Sequence, residues 1–187
     1  MKGQWCYSQS HFTKEYCDSI LERSKSLPLH KAFLGEDGKS DVTNYRSSEV
    51  TWLYPDQFQD LYDEIWKLQI EINRDWFGFH IDNLEYMQLA RYDGNVGGEY
   101  KKHKDVFWIN DSPRHRKLSA VIQLTDPDEY EGGDLSFFEC SEYPNPQEIR
   151  QQGTVIFFPS FVDHQANQVL KGIRHSIAIW FEGPKWR

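Results

Sequence analysis

Cysteine is scarce, and the three present, Cys6, Cys17 and Cys140, are an odd and widely spaced set. That excludes a disulfide framework, and no two stand at the spacing of zinc ligands. Reduced thiols in a reducing compartment are expected. Long apolar runs are missing as well. The longest, such as Val155-Ile156-Phe157-Phe158, fall far short of the roughly 20 residues that span a bilayer. The opening Met1-Lys2-Gly3-Gln4-Trp5 has no apolar stretch of the signal-peptide kind. A cytoplasmic protein without a membrane partner is the expectation. Positive charge is also in deficit. Against 29 Asp and Glu there are 21 Lys and Arg, a formal net charge of −8, which argues against general nucleic-acid binding. Basic residues do gather at Lys101, Lys102, Lys104, Arg114, Arg116 and Lys117. They read as a solvated face or as a guide for an anionic substrate. No repeat or low-complexity linker divides the chain, so residues 1–187 are expected to form one domain.

What the chain has is apolar and aromatic material, 39% and 16% of its residues, enough for a substantial core. Residues 12–26 predict a helix, with Thr13 as cap and Tyr16, Ile20, Leu21 and Leu27 at helical spacing. Gly35-Glu36-Asp37-Gly38 reads as a turn, and Ser48 to Leu53 as a short strand. A second helix, about 56–77, carries Phe58, Leu61, Ile65, Leu68 and Ile72 on one face. Both helices are read as packing elements. From Leu84 the period changes to two, and Tyr86, Gln88, Ala90 and Tyr92 share one face. Further strands are predicted over Leu118 to Thr125, Thr154 to Phe158, and Arg174 to Phe181. Short strands punctuated by Gly and Pro argue for an antiparallel sandwich or barrel. Residues 1–83 are expected to buttress a β core at 84–182 from outside.

The chemistry centres on His103-x-Asp105. Two residues apart in a strand, these side chains point to one face. A further histidine, such as His164, would complete a face of two imidazoles and one carboxylate, the arrangement of non-haem Fe(II) oxygenases. On spacing alone His80-x-Asp82 competes with it. Arg174 shares a strand face with Ser176, Ala178 and Trp180. Buried there, its guanidinium would need an anion, and its fork suits a carboxylate held bidentately. An exposed arginine at a strand start fits the spacing equally well.

Several stretches in order carry a resemblance. They are Tyr92-Asp93-Gly94, Tyr100-x-x-His103-x-Asp105, Arg116-Lys117-Leu118-Ser119 and Tyr130-Glu131-Gly132-Gly133-Asp134-Leu135. Then come Phe158-Pro159-Ser160 with His164, and Lys171-Gly172-Ile173-Arg174-His175-Ser176 with Trp180. Over roughly residues 84–182 the chain resembles the prolyl 4-hydroxylase-like group of Fe(II)- and 2-oxoglutarate-dependent dioxygenases. The resemblance implies a mainly β fold with flanking N-terminal helices, a cupin-like double-stranded β-helix or distorted jelly roll. It implies Fe(II) held by His103, Asp105 and His164, and O2 and 2-oxoglutarate as co-substrates, with ascorbate as a candidate reductant. The distal carboxylate of 2-oxoglutarate would pair with Arg174, beside Tyr92, Ser176 and Trp180. Gln123 stands where many relatives have a co-substrate-facing tyrosine. The implied reaction is hydroxylation of an unactivated C–H bond with release of succinate and CO2. An intact Asp105 favours that over halogenation, which needs the position vacant. The substrate would be a peptide, protein or small molecule, such as a prolyl residue or free proline. Residues 33–47, 93–100, 106–116 and 140–150 are expected to shape its selection, with Trp108 and Arg114–Arg116 as contact candidates. A non-catalytic jelly-roll module that binds a metal or small ligand is the alternative, ahead of a zinc hydrolase.

Overall fold

The computed structural model describes residues 1–32 and 45–186. In chain order the strands begin with β1 (Cys6–Ser8), β2 (His30–Lys31), β3 (Arg46–Ser47), β4 (Glu49–Leu53), β5 (Asn83–Leu84) and β6 (Met87–Asp93). They continue with β7 (Glu99–His103), β8 (Arg114–Gln123), β9 (Tyr130–Gly132), β10 (Leu135–Phe137), β11 (Val155–Pro159), β12 (His164–Ala166) and β13 (Val169–Pro184). Helix α1 spans Lys14–Ser24, α2 spans Pro55–Ile72, and a short α3 spans Pro146–Ile149. Thr13 caps α1, its side chain accepting from the Tyr16 amide. Proline opens α2, where its missing N–H costs nothing. A π turn over Asn73–Phe77 extends α2 to the predicted limit, and Gly78 at φ +72° then ends it.

Two antiparallel sheets face one another. The larger runs β1-β11-β8-β13-β6-β4-β2, and the smaller runs β10-β12-β7-β3. This is the mainly β, double-stranded β-helix architecture that the sequence led us to expect, without a closed barrel. Strand period explains the division of labour in the large sheet. Leu89, Ile122, Ile177, Ile179 and Phe181 point outward and meet Cys17, Ile20, Phe58, Leu61 and Ile65 of the two helices in one buried cluster. The helices are therefore the outer buttress. The alternate residues Gln88, Ala90, Tyr92, Arg174, Ser176, Ala178 and Trp180 line the cavity between the sheets.

Several boundaries differ from the sequence reading, among them the start of β8, which lies at Arg114 and not Leu118. β13 does not begin at Arg174. It starts at Val169, because its first residues pair with β9. Gly172 permits that bend at φ +74°, where a Cβ would meet the Glu129 carbonyl at 2.2 Å. Arg174 is thus mid-strand and buried, not an exposed strand opener. β13 also continues through Gly183 to Pro184, by pairing with the charged start of β8 after a register shift beyond Phe181. Tyr86 is 53% exposed and precedes β6, so the inward face begins at Gln88. The predicted Gly35–Gly38 turn lies outside the described residues. Among the described residues no helix is long and apolar enough to cross a membrane.

Candidate metal centre

β7 and β12 pair so that His103 stands directly opposite His164. Asp105 follows two residues after the end of β7. Its amide and that of Val106 both donate to the Ser160 carbonyl, at 2.9 and 3.1 Å, which turns the carboxylate toward the two imidazoles. The possible ligand atoms of His103, Asp105 and His164 all lie within 4.8 Å of one another. His103 Nε2 is 3.6 Å from Asp105 Oδ1, and His164 Nε2 is 3.5 Å from Oδ2. These separations are too long for hydrogen bonds. They suit atoms converging on a shared ion.

The residues behind the cluster set its chemistry. His103 Nδ1 is 2.7 Å from the Lys101 carbonyl, and His164 Nδ1 is 3.0 Å from the Val162 carbonyl. A carbonyl only accepts, so each Nδ1 carries the proton and each Nε2 presents a lone pair. Burial, and then the adjacent His164, pushes the His103 imidazole down to about 4, so at neutral pH no proton has to leave before a metal binds. Burial pushes the Asp105 carboxyl up. His164, His103, Arg116 and the Ser119 hydroxyl outweigh it and hold the group below its ordinary value, ionised. Ser119 Oγ donates to Asp105 Oδ2 at 2.7 Å and shares a 2.9 Å hydrogen bond with Ser160 Oγ. A two-histidine, one-carboxylate set with open positions suits Fe(II). We expect Ser119→Ala to weaken Fe(II) binding by about 10- to 100-fold without unfolding the protein, the usual range for a partner that orients a ligand. Anaerobic metal titration alongside circular dichroism checks this.

Deeper in the same cavity lies Arg174, 2% exposed. Its Nη2 donates to Gln123 Oε1 at 2.9 Å, its Cζ is 5.4 Å from the Tyr92 ring centroid, and its Nε has no partner. No carboxylate among the described residues reaches it. A buried, uncompensated guanidinium with an orphaned donor fits a site built for a carboxylate ligand. Gln123 acts here as acceptor for the arginine, holding its fork in place. Ser176 and Trp180 line the cavity with Tyr92, His103, Asp105, His164 and Arg174, so all of these sequence-predicted residues meet in one place.

His80 and Asp82 do not join them. Asp82 accepts from Arg114 at 2.9 Å, and its amide binds the Glu182 carbonyl, so the pair serves the connection into the sheet. Arg116 is bonded to Glu85 at 2.7 Å with its Cζ 3.9 Å from the Trp180 ring, at the cavity rim. Trp108 packs edge-on to His115, away from the cluster. The sequence reading missed Ser119 and Ser160 as supports, and it missed Arg46. For the serines the only signal was their place in recognised motifs. For Arg46 there was none, because its strand is two residues long.

The 2OG-Fe(II) oxygenase superfamily model matches residues 87–182, just over half of the chain. A PKHD-type hydroxylase of Pseudoalteromonas atlantica is 33% identical over 99 residues, 51% of this chain and 42% of the relative. One from Xanthomonas campestris pv. campestris is 28% identical over 106 residues, 57% of this chain and 38% of the relative. The chain thus spans about two-fifths of the length of these curated relatives. Among solved structures, a viral collagen prolyl hydroxylase of Paramecium Bursaria Chlorella virus-1, determined with 2OG, superposes with a TM-score of 0.72 at 21% identity, covering 96% of both chains. A Trichoplax adhaerens prolyl hydroxylase, determined with a hypoxia inducible factor peptide fragment, gives 0.75 at 17% identity over 96% of this chain and 83% of its own. At such identities these structures establish the fold. Together with the family match along β6 to β13, they show that the chain belongs to the 2OG-Fe(II) oxygenase superfamily, whose membership implies Fe(II), 2-oxoglutarate and O2.

Proposed function

We propose that the chain is an Fe(II)- and 2-oxoglutarate-dependent hydroxylase of unactivated C–H bonds, releasing succinate and CO2. The observation that carries this reading is Arg174, a buried cation without a described carboxylate partner, in one cavity with His103, Asp105 and His164. The triad supplies ligands on one side only, leaving positions for co-substrate and O2. When bound, Fe(II) with 2-oxoglutarate would supply the oxidising chemistry.

The chain's own residues would do the rest. His103 and His164 present Nε2 lone pairs, and Asp105 contributes a negative charge kept ionised by its neighbours. Arg174, oriented by Gln123 and backed by Tyr92, would receive the distal carboxylate. Ser176 and Ala178 leave room between anchor and metal. Trp180 closes one wall against water. The substrate we favour is a prolyl residue of a peptide or protein, or free proline, with ascorbate as reductant. That viral and Trichoplax prolyl hydroxylases share the fold supports a prolyl substrate. The three buried thiols fit a reducing compartment such as the cytoplasm.

The test is incubation with Fe(II), O2, 2-oxoglutarate and candidate substrates. Succinate should form in step with a mass gain of one oxygen. Absence of 2-oxoglutarate binding to the Fe(II)-loaded protein without oxygen would sink the reading. Binding without any oxygen-dependent succinate would favour a non-catalytic module.

A further inference from the structure

The described arginines sort into two groups. Among the described residues, Arg23, Arg74, Arg91, Arg114, Arg116 and Arg150 each bond a carboxylate, at 3.1 Å or less. Arg174 and Arg46 do not, and both line the cavity that holds the metal cluster. The described partners of Arg46 are all neutral. Its Nε donates to Ser48 Oγ at 2.7 Å, its Nη2 donates to Gln88 Oε1 at 2.8 Å, and its Cζ lies 4.4 Å from the Tyr100 ring. Tyr100 in turn stacks on the His103 imidazole, with ring centroids 3.5 Å apart. Arg46 is therefore fixed by hydrogen bonds and a ring face, with no carboxylate among the described residues paired to it, beside the candidate metal centre.

Strand register separates the two cations. Arg174 pairs with Tyr92, whereas Gln88, which holds Arg46, pairs with Ala178. Four residues along β6 correspond to about 13 Å. A five-carbon dicarboxylate is shorter than that span, so one anchored on Arg174 would leave Arg46 to another ligand. Small side chains, Ala90 and Ser176, lie between the two positions, so a group held by Arg46 stays open to the cluster.

We infer that Arg46, with the Gln88 amide beside it, is the anchor for a second anion. That anion is a carboxylate carried by the substrate on, or next to, the residue that is oxidised. The inference rests on the hydroxylase reading above. It narrows the substrate class to free amino acids, C-terminal residues and residues flanked by Asp or Glu.

Matched pairs test it with the Fe(II)-loaded, 2-oxoglutarate-saturated enzyme. The panel comprises L-proline and L-prolinamide, other free amino acids and their amides, and C-terminally amidated Pro-Asp and Pro-Asn peptides, each scored by one-oxygen mass gain and succinate. The carboxylate member should exceed its neutral counterpart at least tenfold in kcat/KM, as a charge-assisted, bidentate contact warrants. Arg46→Gln should bring that ratio close to one, chiefly through KM, and Arg46→Lys should restore part of it. Equal turnover within pairs, or a ratio unchanged in Arg46→Gln, overturns the assignment. So does an enzyme that binds 2-oxoglutarate without oxygen but oxidises no carboxylate-bearing member. If the wild-type protein binds no 2-oxoglutarate at all, it is the hydroxylase reading that fails.

Discussion

Replacing Arg174 with Met should leave the ligand-free protein at least as stable as the parent while erasing its stabilisation by 2-oxoglutarate. The two effects have one cause. The Arg174 side chain is fully buried, with Gln123 as its one described hydrogen-bond partner and an Nε that bonds nothing. Burying a charge costs several kcal/mol, and replacing even a paired buried charge with apolar residues of similar volume is often neutral or stabilising by about 1–4 kcal/mol. Methionine fills an irregular slot readily. With the co-substrate bound, the balance reverses. Removing one partner of a buried, hydrogen-bonded ion pair costs about 3–5 kcal/mol, or roughly 100- to 4,000-fold in affinity. Saturation at about 100 times Kd stabilises a protein by about 2.7 kcal/mol. For a chain of this size that raises the melting temperature by roughly 5–10 °C. Wild type with Fe(II), or a redox-inert divalent stand-in, should show that rise on adding 2-oxoglutarate, and Arg174→Met should show none. Arg174→Lys should fall between, since a point charge replaces a fork. A variant that melts well below wild type without ligand, yet still responds to 2-oxoglutarate, would make Arg174 a packing residue and remove the main support for the co-substrate site.

How much of this was legible beforehand depended on which physical signal each residue carried. The inward face of Gln88, Ala90 and Tyr92 followed from period-two alternation, and the structure bears it out. The helices followed from apolar spacing and a capping threonine. Arg174 was ambiguous because its burial depends on β9 pairing with the start of β13, a contact between residues some forty positions apart. The choice between His103-x-Asp105 and His80-x-Asp82 was open for the same reason. Both pairs have the right spacing, and only the register of β12 against β7 brings His164 to one of them. Ser160 illustrates what stays hidden. Its carbonyl orients the Asp105 backbone and its hydroxyl meets Ser119, yet nothing local to either serine announces a bond across the fold. Arg46 is the extreme case, since its partners Gln88 and Tyr100 come from two different sheets.

The second large effect is expected at the triad itself. His103→Ala and His164→Ala should each abolish measurable Fe(II) binding, whereas His80→Ala should leave it unchanged. A lost ligand must cost more than the roughly 10- to 100-fold loss that accompanies removal of a group merely supporting one. These variants should stay folded, because the three residues do not hold one another. The separations of Asp105 from the two imidazoles, 3.6 and 3.5 Å, contain no hydrogen bond. Each ligand is instead held from behind, by the Lys101 carbonyl, the Val162 carbonyl, and the Ser160 carbonyl with the Ser119 hydroxyl. Deleting one imidazole therefore leaves the other two donors aimed as before. Circular dichroism should match wild type, and anaerobic titration should show the metal gone. His80 lies in the connection before β5, where the neighbouring Asp82 is bonded to Arg114, so its loss touches none of those supports. If His80→Ala removed the metal and His164→Ala did not, the candidate centre would be misplaced, and the register of β7 against β12 would have to serve packing alone. The arrangement argues otherwise. Packing does not require two facing imidazoles with both Nδ1 protons committed to carbonyls and both Nε2 lone pairs turned toward one carboxylate, whereas binding a divalent cation does.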